Sequence, residues 1–347
     1  MLGSRPFAVR RIPHSVRRRG FLSAATAAIA AGTMFPYGAA RADDLVIIGK
    51  DRWLFAAWER LVDPEDDQIQ VQLDLVARAR DLFAAKGIAL IFMVAPMKAR
   101  FYLDQLPDGT VMSDAVKGRY ERVMQWVADR RLSSIDVSAA ILPVAGVNGQ
   151  TLFHETDQHW TGWSAEAAGS ALAELIAKSV QLPPATGKGE RLNQWVSVEL
   201  QGDLARLVPA NLQARYALET FVVRQSQDYV LQPQDALGND IHVPDPSVRI
   251  VGSSLCNRFA GLPRRLSNAL NRPVALTWLS VDKGPWQLML NFVESAGFAK
   301  KPSVIIWQFN EAFLPHGPMG SGWFAESSLM PPEKWLARLT TALSALP

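Results

Sequence analysis

The chain has 347 residues and a formal net charge of +3, from 36 Lys and Arg against 33 Asp and Glu. Residues 1–42 hold seven Arg and no Lys, Asp or Glu, so the remaining 305 residues carry a net −4, which argues against a nucleic-acid-binding domain. The single cysteine, Cys256, excludes an intramolecular disulfide and a cysteine-based metal cluster.

The first 42 residues have the three regions of an export signal in their usual order. Arg18-Arg19-Gly20-Phe21-Leu22 precedes an Ala-rich apolar run, and the small-x-small sequence Ala40-Arg41-Ala42 suits a signal peptidase. Two Arg followed by x-Phe-Leu are typical of a twin-arginine signal. An uncleaved membrane anchor is the alternative, but the run is rich in Ala, Gly and Thr and is interrupted by Pro36. We therefore predict a twin-arginine-type signal peptide over residues 1–42 and a periplasmic protein.

The first half of the remaining chain alternates between strand and helix patterns. Residues 45–55 predict two short strands around a turn, and Gly87 is placed to end a helix. Apolar spacing predicts helices over residues 70–86, 116–131 and 163–179, and strands over residues 88–94 and 134–137. This alternation favours a parallel sheet with helices on its faces.

The second half resumes the alternation after an irregular stretch. Residues 182–246 mix Pro, Gln and Gly with short β-like runs and predict a β-rich insertion. Strands are predicted over residues 248–252, 274–279 and 304–309, and helices over residues 256–271, 286–296 and 334–346. The expected fold class is α/β, with a parallel sheet flanked by helices in a single domain over residues 43–347.

Two segments carry residues suited to nucleophilic catalysis. Asp157 and His159 lie one residue apart before a predicted helix, so the carboxylate can orient one imidazole nitrogen while the other faces a substrate. Ser254 follows an apolar strand that ends at Gly252, which places a hydroxyl at the carboxyl edge of the sheet. Backbone N–H groups at the start of the next helix could stabilise an oxyanion. Ordinary turn and helix-capping roles remain open for each segment taken alone.

Other assignments of these segments are weaker. His154-Glu155 begins like a His-Glu-x-x-His zinc motif, but Gln158 occupies the second His position, so a site from His154, Asp157 and His159 stays a minor alternative. Trp160 and Trp163 offer aromatic faces that could stack on a sugar ring. Cys256 is expected to be a small buried residue.

The order and identity of several motifs resemble the SGNH-hydrolase-like domain of bacterial alginate O-acetyltransferases. The most specific is Thr156-Asp157-Gln158-His159-Trp160-Thr161, followed much later by Gly252-Ser253-Ser254. Further similar motifs are Gly49-Lys50-Asp51-Arg52-Trp53-Leu54-Phe55, Val94-Ala95-Pro96-Met97-Lys98 with Tyr102, Gly202-Asp203-Leu204 and Ile306-Trp307-Gln308-Phe309-Asn310-Glu311. The Asp/His element precedes the serine, a permuted motif order that the family shares. Ser253 departs from the aspartate of the usual glycine-aspartate-serine turn.

The resemblance implies a catalytic triad and a substrate class. Ser254 would be the nucleophile, His159 the general base and acid, and Asp157 the residue that orients it. Candidates for contacts with substrate or oxyanion are Gly252, Trp160, Lys98, Tyr102 and Arg258. The implied function is transfer of acetyl groups to an exopolysaccharide, with a membrane-bound acyltransferase as the donor partner and without a cofactor.

Two other functions remain compatible with the sequence. One is a secreted carbohydrate esterase that uses the same triad with water as the acceptor. The other is a non-catalytic polysaccharide-binding protein that keeps the fold. The net −4 of the mature chain gives no electrostatic reason to favour a polyanion, although Arg258, Arg264 and Arg265 could form a local basic patch.

Overall fold

The computed structural model describes residues 45–226, 247–278, 281–295, 298, 300–320 and 323–346. The predicted signal over residues 1–42 lies outside the described residues, as does the part of the predicted insertion at residues 227–246. Within the described ranges, no helix combines the length and the apolar character needed to cross a membrane.

A four-stranded parallel sheet forms the centre of the fold. Its strands are β3 (Ala89–Ala95), β6 (Val248–Gly252), β7 (Ala275–Trp278) and β8 (Val304–Asn310), in the spatial order β3-β8-β6-β7. All three strand pairings are parallel. Nearly all residues of these strands are buried, because helices cover both faces of the sheet. The predicted α/β class is therefore confirmed.

Two hydrophobic cores lie on opposite faces of this sheet. Alternate residues of β3 enter different cores: Leu90, Phe92 and Val94 one, Ile91 and Met93 the other. The first core includes residues of α1 (Asp66–Ala84), α3 (Arg119–Asp129), α7 (Gly284–Val293) and α8 (Pro332–Ser344). The second includes residues of α4 (Val137–Ile141), α5 (Gly162–Ser179) and α6 (Leu262–Leu270).

Two antiparallel strand pairs stand apart from the central sheet. The predicted N-terminal pair is confirmed as β1 (Val46–Ile48) and β2 (Leu54–Ala56). In the predicted β-rich insertion, β4 (Leu192–Leu200) pairs with β5 (Glu219–Ser226). The turn after β4 and the start of β5 both reach the segment that contains Asp157.

Three sequence predictions are wrong in detail. Residues 134–137 form no strand, because Asp136 accepts a hydrogen bond from Ala139 N and caps α4, and only the preceding residue Ser133 makes a single bridge to Ile91. The helix predicted over residues 116–131 is interrupted at Gly118, which separates α2 (Asp114–Lys117) from α3. The helix predicted from residue 256 starts only at Leu262, after Gly261 with φ 111°.

Candidate active site

Ser254 lies at the carboxyl edge of the central sheet, immediately after β6. It begins a short 3₁₀ turn, Ser254–Cys256, and its side chain is half-buried. Ser254 is not among the described non-glycine residues with positive φ. The serine therefore does not sit on a strained nucleophile elbow. Side-chain contacts with the neighbouring strand hold this turn in place.

Gln308 and Asn310 of the neighbouring strand β8 hold that turn. Gln308 Oε1 accepts hydrogen bonds from Ser253 N at 2.7 Å and from Ser253 Oγ at 2.8 Å, and Gln308 Nε2 donates to Asn310 Oδ1 at 2.7 Å. Ser253, which replaces the usual aspartate, thus forms hydrogen bonds to the buried side-chain amide of Gln308. Gly252 is required by packing, since a Cβ there would lie 2.9 Å from Cys256 Sγ and from Gln308 Cβ.

Asp157, His159 and Ser254 form a continuous hydrogen-bonded chain. Ser254 Oγ lies 2.7 Å from His159 Nε2, to which it donates when the imidazole is neutral, and His159 Nδ1 donates to Asp157 Oδ1 at 2.6 Å. Asp157 is buried, whereas His159 and Ser254 are half-buried and remain accessible. The sequence prediction that these three residues lie together agrees with this geometry, which has the spacing required of a nucleophile, its base and an orienting acid.

The charges within this chain favour an ionised Asp157. Burial opposes its ionisation, but the charge and hydrogen bond of His159 outweigh burial and hold the pKa of Asp157 far below its ordinary value. Burial likewise acts against protonation of His159, but the charge and hydrogen bond of Asp157 prevail and raise the pKa of His159 to about 9. The pair therefore stabilises the imidazolium that forms when the base accepts a proton.

Asp157 and His159 lie in a tight loop over residues 152–160, the histidine loop, which is closed by its own backbone. Phe153 and Trp160 form an antiparallel bridge, and His154 N donates to His159 O at 3.2 Å. Trp160 is almost fully buried and donates from Nε1 to Leu255 O at 3.0 Å, so it connects the histidine loop to the serine turn. The prediction that Trp160 stacks on a sugar is wrong, because its ring has no accessible face. Trp163 stacks instead on Trp195, with ring centroids 3.9 Å apart.

Lys98 supports the same loop through hydrogen bonds to its backbone carbonyl groups. Its side chain is buried, and Nζ donates to Leu54 O at 2.6 Å, to Glu155 O at 2.8 Å and to Asp157 O at 3.0 Å. Burial lowers the pKa of Lys98 to about 8 against the charges of Glu219 and Glu59. An ammonium with its three protons directed at carbonyl groups is not available to a substrate, so the predicted substrate or oxyanion role of Lys98 is wrong.

Tyr102 and Arg258 also have structural partners in place of the predicted substrate contacts. The Tyr102 hydroxyl oxygen accepts from Leu152 N at 2.7 Å, and so anchors the start of the histidine loop. Arg258 forms an ion pair with Glu190 at 2.8 Å and donates to Val274 O at 2.8 Å. Both residues are therefore engaged within the fold.

Sequence reasoning missed two carboxylates that hold the histidine loop. Glu219 at the start of β5 accepts from Glu155 N and Thr156 N, both at 2.8 Å. Asp203 accepts from Gln158 N at 2.9 Å, and its Oδ2 lies 3.5 Å from His159 Nδ1. Burial, and then the charge of Asp157, raise the pKa of Asp203 to about 7. The Gly202-Asp203-Leu204 motif was the available signal for Asp203, whereas nothing distinguished Glu219 from other acidic residues.

The geometry of the acidic cluster suits hydrogen bonding better than metal binding. Ligand atoms of Asp157, His159 and Asp203 lie within 4.8 Å of one another. However, 2.6 Å between His159 Nδ1 and Asp157 Oδ1 is a hydrogen-bond distance. Two ligands of one zinc ion, each about 2.0–2.2 Å from the metal, stand farther apart in a tetrahedral site. Cys256 is buried as expected, and burial raises the pKa of its thiol, which disfavours a nucleophilic thiolate.

A parallel α/β sheet with a serine, histidine and aspartate at its carboxyl edge is typical of serine hydrolases and acyltransferases, among them the SGNH-hydrolase-like proteins. Residues 46–311 match the family described as "SGNH hydrolase-like domain, acetyltransferase AlgX". Because this match spans most of the chain, the protein belongs to that family. Its enzyme class is O-acetyltransferase.

Named relatives and solved structures agree with this assignment. The chain is 29% identical over 284 residues to the probable alginate O-acetylase AlgJ of Pseudomonas fluorescens, covering 78% of this chain and 68% of that protein. It is 26% identical over 288 residues to the same-named protein of Pseudomonas aeruginosa, covering 78% and 70%. The O-acetyltransferase domain of Pseudomonas putida AlgJ superposes with a TM-score of 0.66 at 25% identity, covering 86% of this chain and 99% of that domain. Pseudomonas aeruginosa AlgX shares the fold, with a TM-score of 0.56 at 17% identity over 78% of this chain and 66% of its own.

Proposed function

We propose that this protein is a periplasmic O-acetyltransferase that transfers acetyl groups to hydroxyl groups of alginate or an alginate-like exopolysaccharide through an acyl-enzyme on Ser254. The observation that carries the proposal is the hydrogen-bonded chain from Ser254 Oγ through His159 to Asp157, with distances of 2.7 and 2.6 Å. The relatives named alginate O-acetylase support the choice of polymer.

The first half-reaction forms the acyl-enzyme. Ser254 Oγ attacks the acetyl carbonyl carbon while His159 Nε2 accepts the hydroxyl proton, and Asp157 stabilises the resulting imidazolium. The tetrahedral intermediate then collapses by breaking the bond to the donor's leaving oxygen, which takes the proton from His159. The products are acetyl-Ser254 and the deacylated donor.

The second half-reaction transfers the acetyl group to the polymer. A sugar hydroxyl loses its proton to His159 Nε2 and attacks the acetyl carbonyl carbon, and the bond to Ser254 Oγ breaks. The proton returns from His159 to Ser254, which regenerates the enzyme and leaves an acetyl ester on the sugar. Water at the same position would yield acetate, so the acceptor that reaches the acyl-enzyme decides between transfer and hydrolysis.

Two groups beside the nucleophile are suited to stabilise the oxyanion. The Ser254 N–H is at the first position of its turn, where the turn itself provides no acceptor. Asn310 ends β8 beside the serine turn, and its Oδ1 accepts from Gln308 Nε2, which leaves the amide NH2 group to donate elsewhere. We assign these two groups as the oxyanion donors.

The proposed location is supported by the sequence pattern of the N-terminus, and the proposed donor by the family resemblance. The twin-arginine-type signal over residues 1–42 would export the protein to the periplasm. A membrane-bound acyltransferase would supply acetyl groups there, as the resemblance to alginate O-acetyltransferases implies.

A transfer assay with purified protein tests the proposal. An activated acetyl ester serves as donor and alginate oligosaccharides serve as acceptor, and mass spectrometry measures acetylated sugar against free acetate. The wild type should form acetylated oligosaccharide, Ser254→Ala should not, and Ser344→Ala, an exposed serine on α8, should match the wild type. Release of acetate alone would replace the transferase with an esterase, and full activity of Ser254→Ala would reject the mechanism.

A further inference from the structure

Asp203 contacts Gln158, which precedes the candidate base in the chain, and Asp157, the carboxylate partner of that base. Asp203 N donates to Asp157 Oδ2 at 2.9 Å. Its carboxylate accepts from Gln158 N at 2.9 Å and from Gln158 Nε2 at 2.6 Å. The Oδ2 atom lies 3.5 Å from His159 Nδ1, the nitrogen that Asp157 also binds. His159 therefore faces two carboxylates on its Nδ1 side.

The backbone around Asp203 is fitted to the histidine loop. Ala205 N donates to Thr156 O at 3.1 Å. Gly202 packs so closely on Thr156 that a Cβ would overlap its carbonyl oxygen. The turn after β4 is thus pressed against the loop on both sides of Asp203, which fixes where its carboxylate can lie.

We propose that Asp203 is a positioning residue of the triad, which pairs with Asp157 on the Nδ1 side of His159, holds the histidine loop in place and favours the imidazolium form. This inference rests on the proposed function, because it assigns Asp203 a part in the same acyl transfer. Asp157 would make the direct hydrogen bond, and Asp203 would act through Asp157 and Gln158.

Among the described residues, few other polar or charged groups face this cluster. The Ser254 hydroxyl lies on the Nε2 side of His159, and Lys98 Nζ donates to the Asp157 carbonyl oxygen. His154, at the opposite end of the loop, pairs with Glu219 at 3.2 Å. Burial and the charge of Asp157 raise the pKa of Asp203, and the charge of Asp203 is in turn one of the causes that raise the pKa of His159. The charge of Asp203 therefore adds to that of Asp157 in stabilising the imidazolium.

A matched pair of variants separates this role from simple support of the loop. Asp203→Asn keeps an oxygen acceptor for Gln158 N but removes the charge next to His159. Glu219→Gln also weakens the loop, since Glu219 accepts from Glu155 N and Thr156 N, but Glu219 makes no hydrogen bond to His159. We measure the pH profile of kcat/KM with an activated acetyl ester, and in parallel the pH titration of the His159 imidazole by NMR.

Asp203→Asn should shift both midpoints to lower pH by about one unit and reduce kcat by roughly tenfold or more. Glu219→Gln should reduce kcat without moving either midpoint, and Asp203→Glu should restore the wild-type midpoint at reduced kcat. Unchanged midpoints in Asp203→Asn, or an equal shift in Glu219→Gln, would overturn the inference. If Asp203→Asn does not fold, the titration of Asp203→Glu tests the inference instead. A midpoint about one unit below that of the wild type would then overturn the inference. If the wild type forms no acyl-enzyme while the NMR shift occurs, the proposed function fails and the carboxylate pairing stands.

Discussion

Replacing Lys98 with methionine should destabilise the fold and slow the acyl transfer. The Lys98 ammonium donates to the carbonyl oxygens of Leu54, Glu155 and Asp157, at 2.6, 2.8 and 3.0 Å. Methionine has a similar length but no donor, so three carbonyl groups lose a hydrogen bond in a buried site. Glu59, which accepts from Lys98 N and Ala99 N, would also lose the cation beside it.

The magnitude follows from the number and burial of these contacts. Each buried acceptor left without a partner costs about 1–3 kcal/mol. Removing one partner from a buried charged cluster costs about 3–5 kcal/mol in total, which we take as the expected loss in free energy of unfolding. In a domain of this size that loss corresponds to a fall in Tm of roughly 5–8 °C. Because two of the carbonyl groups belong to the histidine loop, kcat should fall by roughly 10- to 100-fold.

Thermal unfolding followed by circular dichroism measures the first effect, and turnover of an activated acetyl ester measures the second. Lys117→Met is the control, because Lys117 forms an exposed ion pair with Asp114 and should leave both quantities nearly unchanged. A Lys98→Met variant with the Tm and kcat of the Lys117→Met control would refute the reasoning that Lys98 holds the loop.

Three further predictions concern the groups around the triad. Gln308→Ala should lower kcat by about tenfold, because Ser253 N and Oγ lose their common acceptor, and an unchanged kcat would remove Gln308 from the support of the nucleophile. Trp160→Phe should lower the free energy of unfolding by about 1–2 kcal/mol through loss of the bond to Leu255 O, which urea denaturation measures; equal midpoints would contradict this. The general base must be neutral, and the pKa of His159 is raised to about 9. Hence kcat/KM should rise about tenfold per pH unit from pH 7 towards the pKa of His159. A plateau already reached at pH 7 would exclude a raised pKa of His159.

Local sequence patterns were sufficient to predict the strands of the central sheet. Residues 88–94 are an uninterrupted apolar run, and residues 248–252 and 304–309 are apolar runs interrupted only by Arg249 and Gln308, as expected for strands with helices on both faces. Their order in the sheet was not predictable, because β8 inserts between β3 and β6 through contacts that no local pattern records. Helix starts were less secure, as the displaced start of α6 at Leu262 illustrates.

The three residues of the candidate triad were predicted from their types and from the family resemblance, whereas their surroundings were not. A sequence shows that Lys98, Trp160 and Arg258 can bind a substrate, but it does not show that each is already engaged within the fold. Asp203 and Glu219 lie 46 and 62 residues beyond Asp157 in the chain, and only folding of the β4–β5 insertion brings them to the histidine loop. Long-range polar contacts of this kind depend on tertiary structure.

The most direct test of the account is to look for the acyl-enzyme itself. The protein is mixed with an activated acetyl ester, quenched in acid within the first turnovers, and analysed by intact-mass and peptide mass spectrometry. We predict a mass increase of one acetyl group, located on the peptide that contains Ser254 and absent from Ser254→Ala and His159→Ala. Acetylation of a different residue, or acetyl transfer to the oligosaccharide without any modified Ser254 peptide, would contradict the central claim.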